Sequence, residues 1–346
     1  MTDSMEFDPA TLNLATARAR HGELAGSVIR TPLTRLASPA VAQALESAEV
    51  YLKLECYQHT GTFKARGALS VARAIPEADR AKGVTAASAG NHAIAAAWAA
   101  RQLGMGAKVV MQSTANPFRV ALARGEGAEI IMAEGGLAAI GEAERLARDE
   151  GRTFIHPFEG INTTLGAAGV GLEIMDDIAA LGADAEAVVV SVGGGGLISG
   201  VAAGVKLINP GCAVYGVEPV GADSVNQSLA AGKPVTLDKV DTIADSLGPP
   251  FSLPFGLSVI RAYVDVVVRI TDDQILAGLV VLQEEGKLAV EPAAGAAMAA
   301  ALGPLRERLR GKRTVILICG ANIDGETYAT LHKRGRDHVA ALLEQT

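Results

Sequence analysis

Four short stretches carry residues whose types and spacing could do chemistry. In "QHTGTFKARGA" (58–68) a single amine, Lys64, follows a glycine turn and sits beside Phe63, where a helix should begin. An ammonium is unfavourable at the positive end of a helix, so this placement should lower the lysine pKa, as an imine-forming lysine requires. In "SVGGGGLISG" (191–200) four glycines join a β-branched run to a helical one. Their backbone N–H groups can turn inward with no side chain in the way, and the helix start adds partial positive charge: a cradle for phosphate. It is neither a P-loop, since no Gly-Lys-Ser/Thr follows, nor the spaced dinucleotide pattern. In "SAGNHA" (88–93), Ser88, Asn91 and local N–H groups could hold a carboxylate, although simple N-capping fits that loop alone. In "ICGANIDG" (318–325), Cys319 sits where a strand should end, and an inert buried thiol is the common alternative.

An amine, a phosphate cradle, an anion loop and a neutral hydrogen-bonding group are together what pyridoxal 5′-phosphate needs. The elements that must position them alternate. Strands are expected at 50–55, 82–88, 107–112, 128–133, 152–157, 187–192, 213–218, 265–270 and 314–319. Helices are expected at 92–104, 137–151 and 258–266. Continuous Val/Ile/Ala strands between helices indicate an α/β protein with two open, twisted, mostly parallel sheets covered on both faces. No compositional linker separates domains, so the boundary is drawn from the pattern. Residues 56–151, with three strand–helix pairs, form a small domain; 1–55 plus 152–346 form the large one. Ligands of such sheets bind beyond the carboxyl ends of the strands.

The bulk properties exclude other classes. A chain of 346 residues with a net charge of −7 and no basic block is a poor nucleic-acid binder, and 4% aromatics argues against base stacking. Three scattered cysteines form neither a zinc pattern nor a disulfide framework. The N-terminus begins acidic and lacks a signal-peptide core; the apolar stretch 187–205 is broken by its glycines and reads as strand, loop and helix. No membrane contact is expected, and a cytoplasmic location is.

The sequence resembles the fold-type II pyridoxal-phosphate enzymes, in the serine/threonine dehydratase and serine racemase branch, whose fold is that of the tryptophan synthase β-subunit. "TGTFKARGA" looks like the lysine motif, "SAGNHA" the substrate-carboxylate loop, "GGGGL" the phosphate loop and "CGAN" the pyridine-nitrogen loop. "HPF" (156–158), "GLEI" (171–174), "TIAD" (242–245) and "VEPAAGA" (290–296) are further matches. The resemblance implies that Lys64 carries the cofactor as an imine and later removes the α-proton. Phe63 packs on the ring, and Asn91 bonds the ring 3′-oxygen. Gly193, Gly194, Gly195, Gly196 and Leu197 hold the phosphate, and Cys319 faces the ring nitrogen. Thr60, Ser88, Gly90, Asn91 and His92 receive the substrate carboxylate. It further implies β-elimination from serine, threonine or a related β-hydroxy amino acid, giving a 2-oxo acid and ammonia, with the leaving hydroxyl protonated by the phosphate. A homodimer is expected by the same analogy. The alternatives are β-replacement of the cysteine synthase type and a non-catalytic phosphate-binding scaffold.

Several positions depart from the pattern. Ala89 stands where racemases commonly carry serine, and alanine cannot transfer a proton, so racemisation is not expected. Glu218 and Ala222 match two cation ligands, but Ser224 replaces the third and Asp223 is one position early, so no metal is assigned. Ile94, the stretch 160–171 without its usual "GQGT", and the "ADSLGPP" loop (244–250) are expected to reshape the substrate pocket. Only about twenty residues follow the "CGANIDG" loop, so no regulatory domain and no isoleucine feedback are expected.

Overall fold

The computed structural model describes residues 7–344 apart from 9 and 48; the first acidic residues of the chain lie outside that range. Ten strands are present among the described residues. They are β1 (Leu33–Arg35), β2 (Val50–Leu54), β3 (Val84–Ala87), β4 (Ala107–Gln112), β5 (Glu129–Ala133), β6 (Thr153–Phe154), β7 (Ala187–Ser191), β8 (Ala213–Pro219), β9 (Val266–Ile270) and β10 (Thr314–Ile318). They form two sheets, ordered β1-β2-β10-β7-β8-β9 and β5-β4-β3-β6. Every pairing is parallel except β1 with β2.

The central strands β2, β7 and β10 are buried at every position, which is why they read as unbroken apolar runs rather than alternating ones. The wholly buried helix Pro292–Leu302 packs on β7 and β10; its run of alanines lets a helix approach the sheet closely. The helices Ile161–Ala180 and Gly196–Lys206 cross at even shorter range. A Cβ on Gly171 would lie 3.0 Å from Val205 N, and one on Gly204 3.1 Å from Gly171 Cα. This contact fixes the helix whose first turn is the glycine loop.

All nine expected strands are present, with ends moved by up to three residues. β1 was not expected: three partly exposed residues carry no usable periodicity, and their antiparallel pairing with β2 is a tertiary choice. The expected helix 258–266 is Pro254–Tyr263, and its last residue already belongs to β9. The four-stranded sheet extends past the expected domain boundary at 151, because Val84 and Thr85 of β3 pair with Thr153 and Phe154. The strand expected at 152–157 is thus the fourth strand of the small sheet, on the far side of the boundary drawn from the pattern.

Candidate active site

The carboxyl ends of β3, β6, β7 and β10 open into one cavity of about 630 Å³. Lys64 enters it from the first position of the helix Lys64–Arg73. Two contacts place that helix. The turn before it is stitched to the end of β10: Phe63 N donates to Cys319 O at 3.1 Å, and Ala321 N to Gly61 O at 3.0 Å. Behind it, fully buried Arg66 donates to Glu55 at 2.8 Å and to Glu173 at 2.8 Å, and Lys53 donates to Glu173 at 2.7 Å. Burying these charges is tolerable only because each has a hydrogen-bonded counter-charge.

The Lys64 amine donates to Pro157 O at 2.6 Å and lies 5.1 Å from the centre of the Phe63 ring. Burial pulls its pKa down to about 8, against the opposing pull of Cys319 and Glu291. The depression expected from the sequence is present, but desolvation is its leading cause rather than the helix end. Cys319 is buried, and desolvation together with Glu291 pushes its thiol well above the ordinary range, so it stays protonated at neutral pH.

Gly193 to Leu197 line the same cavity as the lysine. Gly195 has φ +94°, the left-handed region that favours glycine. A Cβ on Gly193 would lie 3.0 Å from Ser246 O, and one on Gly196 2.7 Å from Phe158 Cα. Packing therefore forces glycine here, and the first N–H groups of the helix Gly196–Lys206 are left without intrahelical acceptors. The same holds for Asn91 and His92 at the start of the helix Asn91–Gln102.

The structure brings Phe63, Lys64, Ser88, Gly90, Asn91, His92, Gly193–Gly196, Leu197 and Cys319 to one cavity, and leaves Thr60 off its wall. Thr60 holds φ +65°; its carbonyl accepts from Asn322 Nδ2 at 2.8 Å, and its buried hydroxyl has no partner among the described residues. Asn91 has both ends of its amide engaged. Its Nδ2 donates to Glu291 at 2.9 Å and to Ser246 Oγ at 3.3 Å, and its Oδ1 accepts from Asn322 at 2.8 Å, so bonding a ring oxygen requires an exchange with Glu291 or Ser246. The His92 ring bonds Ile155 O at 2.8 Å, which leaves its backbone N–H for the cavity.

Of the three expected reshaping changes, only one reaches the cavity. Ile94 packs in the core of the small sheet, and residues 160–171 do not line the cavity, whereas Asp245 to Pro250 do. Glu218 accepts from Val225 N, Asn226 N and Asn226 Nδ2, and Asp223 from Gln227 and Arg269. Among the described residues no three His, Cys, Asp or Glu side chains gather as a cation site.

Three residues of the cavity wall had no assigned role from sequence. Arg119 pairs with Asp245, donates to Asn322 O at 3.2 Å and lies 3.7 Å from Glu291. Glu291 is buried, which raises its carboxyl above the ordinary range. The Nδ1 of His156 accepts from the backbone N–H groups of Phe158 (3.3 Å) and Glu159 (3.0 Å), so the ring proton resides on Nε2. Burial lowers the His156 pKa to about 4, keeping the ring neutral. Only "HPF" and "VEPAAGA" hinted at two of these, as motif matches without a role.

Residues 24–320 match the protein family described as pyridoxal-phosphate dependent enzyme. The chain belongs to that family. The enzyme is 47% identical over 280 residues to phenylserine dehydratase of Ralstonia pickettii, covering 81% of this chain and 85% of the relative. It is 38% identical over 295 residues to L-threonine ammonia-lyase of Thermotoga maritima, covering 84% and 71%. The solved structure of maize serine racemase superposes with a TM-score of 0.86 at 31% identity, over 95% of this chain and 99% of that one. The enzyme therefore stands in the serine/threonine dehydratase and racemase branch of the fold-type II enzymes. Its cavity fits the cofactor of the family: an amine of lowered pKa and a glycine cradle with unspent N–H groups share one enclosed space.

Proposed function

We propose that this enzyme removes the β-hydroxyl group of a β-hydroxy amino acid and releases a 2-oxo acid and ammonia. The observation that carries this reading is a single amine of pKa about 8 in the same cavity as a glycine cradle, an anion-binding helix start and a buried thiol that stays neutral. When bound, pyridoxal phosphate supplies the carbonyl that captures the amino group and the electron-poor ring that acidifies the α-C–H bond.

The N–H groups of Gly193 to Leu197 would hold its phosphate, and Phe63 would pack on its ring beside Lys64. The N–H groups of Asn91 and His92, with the Ser88 hydroxyl, hold the substrate carboxylate and so fix which bond is broken. Near neutral pH a useful fraction of Lys64 is the free amine, which can accept the α-proton. Cys319 would face the ring nitrogen as an uncharged thiol, which could not hold a proton there as a carboxylate would; such a neutral partner would favour elimination of the β-hydroxyl over transamination. Ala89 offers no second proton donor, which favours elimination over racemisation. The α-proton and the hydroxyl leave as water, and one water returns in hydrolysis of the enamine released. For Thr60 to reach the carboxylate, or the Asn91 side chain the ring 3′-oxygen, each would have to leave the contacts it holds here: Thr60 lies off the cavity wall, and Asn91 Nδ2 donates to Glu291 and Ser246.

Phenylserine, threonine and serine, named in the relatives and neighbours, are the candidate substrates. We also propose that residues 56–154 act as the small domain, supported by the sheet that ends at Phe154, and that the enzyme is a homodimer, supported by the family resemblance alone. Among the described residues no helix is long and apolar enough to cross a membrane. The test is a panel of β-hydroxy amino acids scored for 2-oxo acid, with serine run in the presence and absence of sulfide. Release of 2-oxo acid supports the reading. Consumption of sulfide to give a thiol amino acid in place of the 2-oxo acid contradicts it.

A further inference from the structure

This chain has only seven phenylalanines, and four of them, Phe63, Phe154, Phe158 and Phe251, line the one large cavity. Phe63 and Phe158 are accounted for by the lysine and the glycine cradle they touch. Phe154 also packs on the core of the small sheet, against the cluster of Ala87, Val110 and Ala139, whereas Phe251 belongs to no such core cluster. The two complete a row of rings: Phe154 and His156 meet edge-on with centroids 5.8 Å apart, His156 and Phe158 at 4.7 Å, and Phe158 and Phe251 at 5.9 Å. Edge-on and tilted rings at these spacings leave exposed edges and faces against which a further ring can pack.

The wall is preset. Phe251 is held by a bridge to Thr236, and Pro250 O accepts from Leu237 N at 2.7 Å. Pro249 and Pro250 fix their own backbone angles. Both prolines belong to the "ADSLGPP" loop, the one of the three expected reshaping changes that reaches the cavity. Ile140, which packs on the same small-sheet cluster as Phe154, also lines the cavity. The charge is wrong for an acidic substituent: Arg119 is already paired with Asp245 and Glu291. A rigid apolar wall of this kind gains far less from the methyl group of threonine than from a phenyl ring, because the area it can bury is smaller.

Resting on the elimination reading above, we propose that the row Phe154–His156–Phe158–Phe251 with Pro249 is a subsite for an aromatic β-substituent, and that the preferred substrate class is the 3-aryl-serines. Phe154 and Phe251 are its specificity-determining residues.

The test uses the purified holoenzyme and compares kcat/KM for phenylserine, threonine and serine by release of phenylpyruvate, 2-oxobutyrate and pyruvate. Burying one phenyl group predicts a preference for phenylserine of about 10- to 100-fold. Phe154→Ala and Phe251→Ala should each lower the phenylserine-to-threonine ratio about tenfold at equal cofactor content, mainly through KM, and Phe251→Leu should retain most of it. Should an alanine variant fail to fold, wild-type inhibition by L-phenylalanine against L-alanine reads the same subsite, with phenylalanine binding at least tenfold tighter. Equal turnover of threonine and phenylserine, or an equal loss on all substrates in the variants, overturns the subsite while leaving elimination intact. Release of 2-oxo acid from no substrate overturns the elimination reading itself, and the subsite with it.

Discussion

Lys64 concentrates the chemistry in one nitrogen, and burial sets its behaviour. An ammonium is not a nucleophile, so capture of the cofactor by the apoprotein should follow the free-amine fraction. The rate should rise with pH and level off above about 8, where the sequence-typical lysine would still be almost fully charged. Following growth of the cofactor absorbance between pH 6 and 9.5 checks this; a midpoint near 10.5 would show that burial has not shifted the amine. The four glycines stood out because such a turn costs chain entropy, Lys64 because an ammonium is unfavourable at a helix start, and Cys319 only through the resemblance of "CGAN"; the structure brings all of them to one cavity. Arg119 and Glu291 were not, since nothing in a sequence says that residues 172 positions apart will meet. Thr60 was read from its neighbours in the chain, and the backbone turn at φ +65° places it off the cavity wall.

Among the elements, the glycine loop and the helix Gly196–Lys206 form one unit, held in place by Phe158 and Ser246. Gly196→Ala drives a methyl group into the Phe158 backbone, whose Cα would be 2.7 Å away. Overpacking of this kind costs about 1–3 kcal/mol and tilts the N–H groups off the phosphate. Cofactor titration should show at least a tenfold weaker Kd, with a lower Tm. Gly141→Ala is the contrasting case: exposed in the middle of the helix Gly136–Glu150, with nothing within 4 Å of the added Cβ, it should stabilise by about 1 kcal/mol and leave cofactor binding unchanged. The longer elements were readable because burial on both faces leaves continuous Val/Ile runs. β1 was not, because its three residues owe their strand form to the neighbour they pair with, and β6 was expected at 152–157 but is cut to two residues by the length of its pairing with β3.

Across the whole molecule, burial of neutral histidines links the fold to pH. His92 and His156 titrate at about 3 and about 4 in the folded protein, against 6.5 when free, with desolvation the first cause in each. The unfolded chain therefore binds more protons below pH 6.5. The stability these groups contribute is complete above pH 6.5 and is lost as pH falls towards 4, by at most about 1.4 kcal/mol per pH unit for each ring. Denaturant midpoints measured from pH 7.5 to 4.5 should fall accordingly, and His92→Gln should flatten the fall. A profile with no dependence in this window would mean that the rings reach solvent. The parallel architecture was legible as a class from alternating strands and helices. The closure of the two sheets on one cavity was not, since it depends on contacts such as Arg119–Asp245 that join distant parts of the chain.

The central claim is a covalent bond between the cofactor and one side chain. Borohydride reduction of the holoenzyme followed by peptide mapping tests it most directly. The account predicts one reduced pyridoxyl group per chain, on the peptide that carries Lys64, and none in Lys64→Ala. A label on another lysine, or no label after saturation with the cofactor, would contradict it.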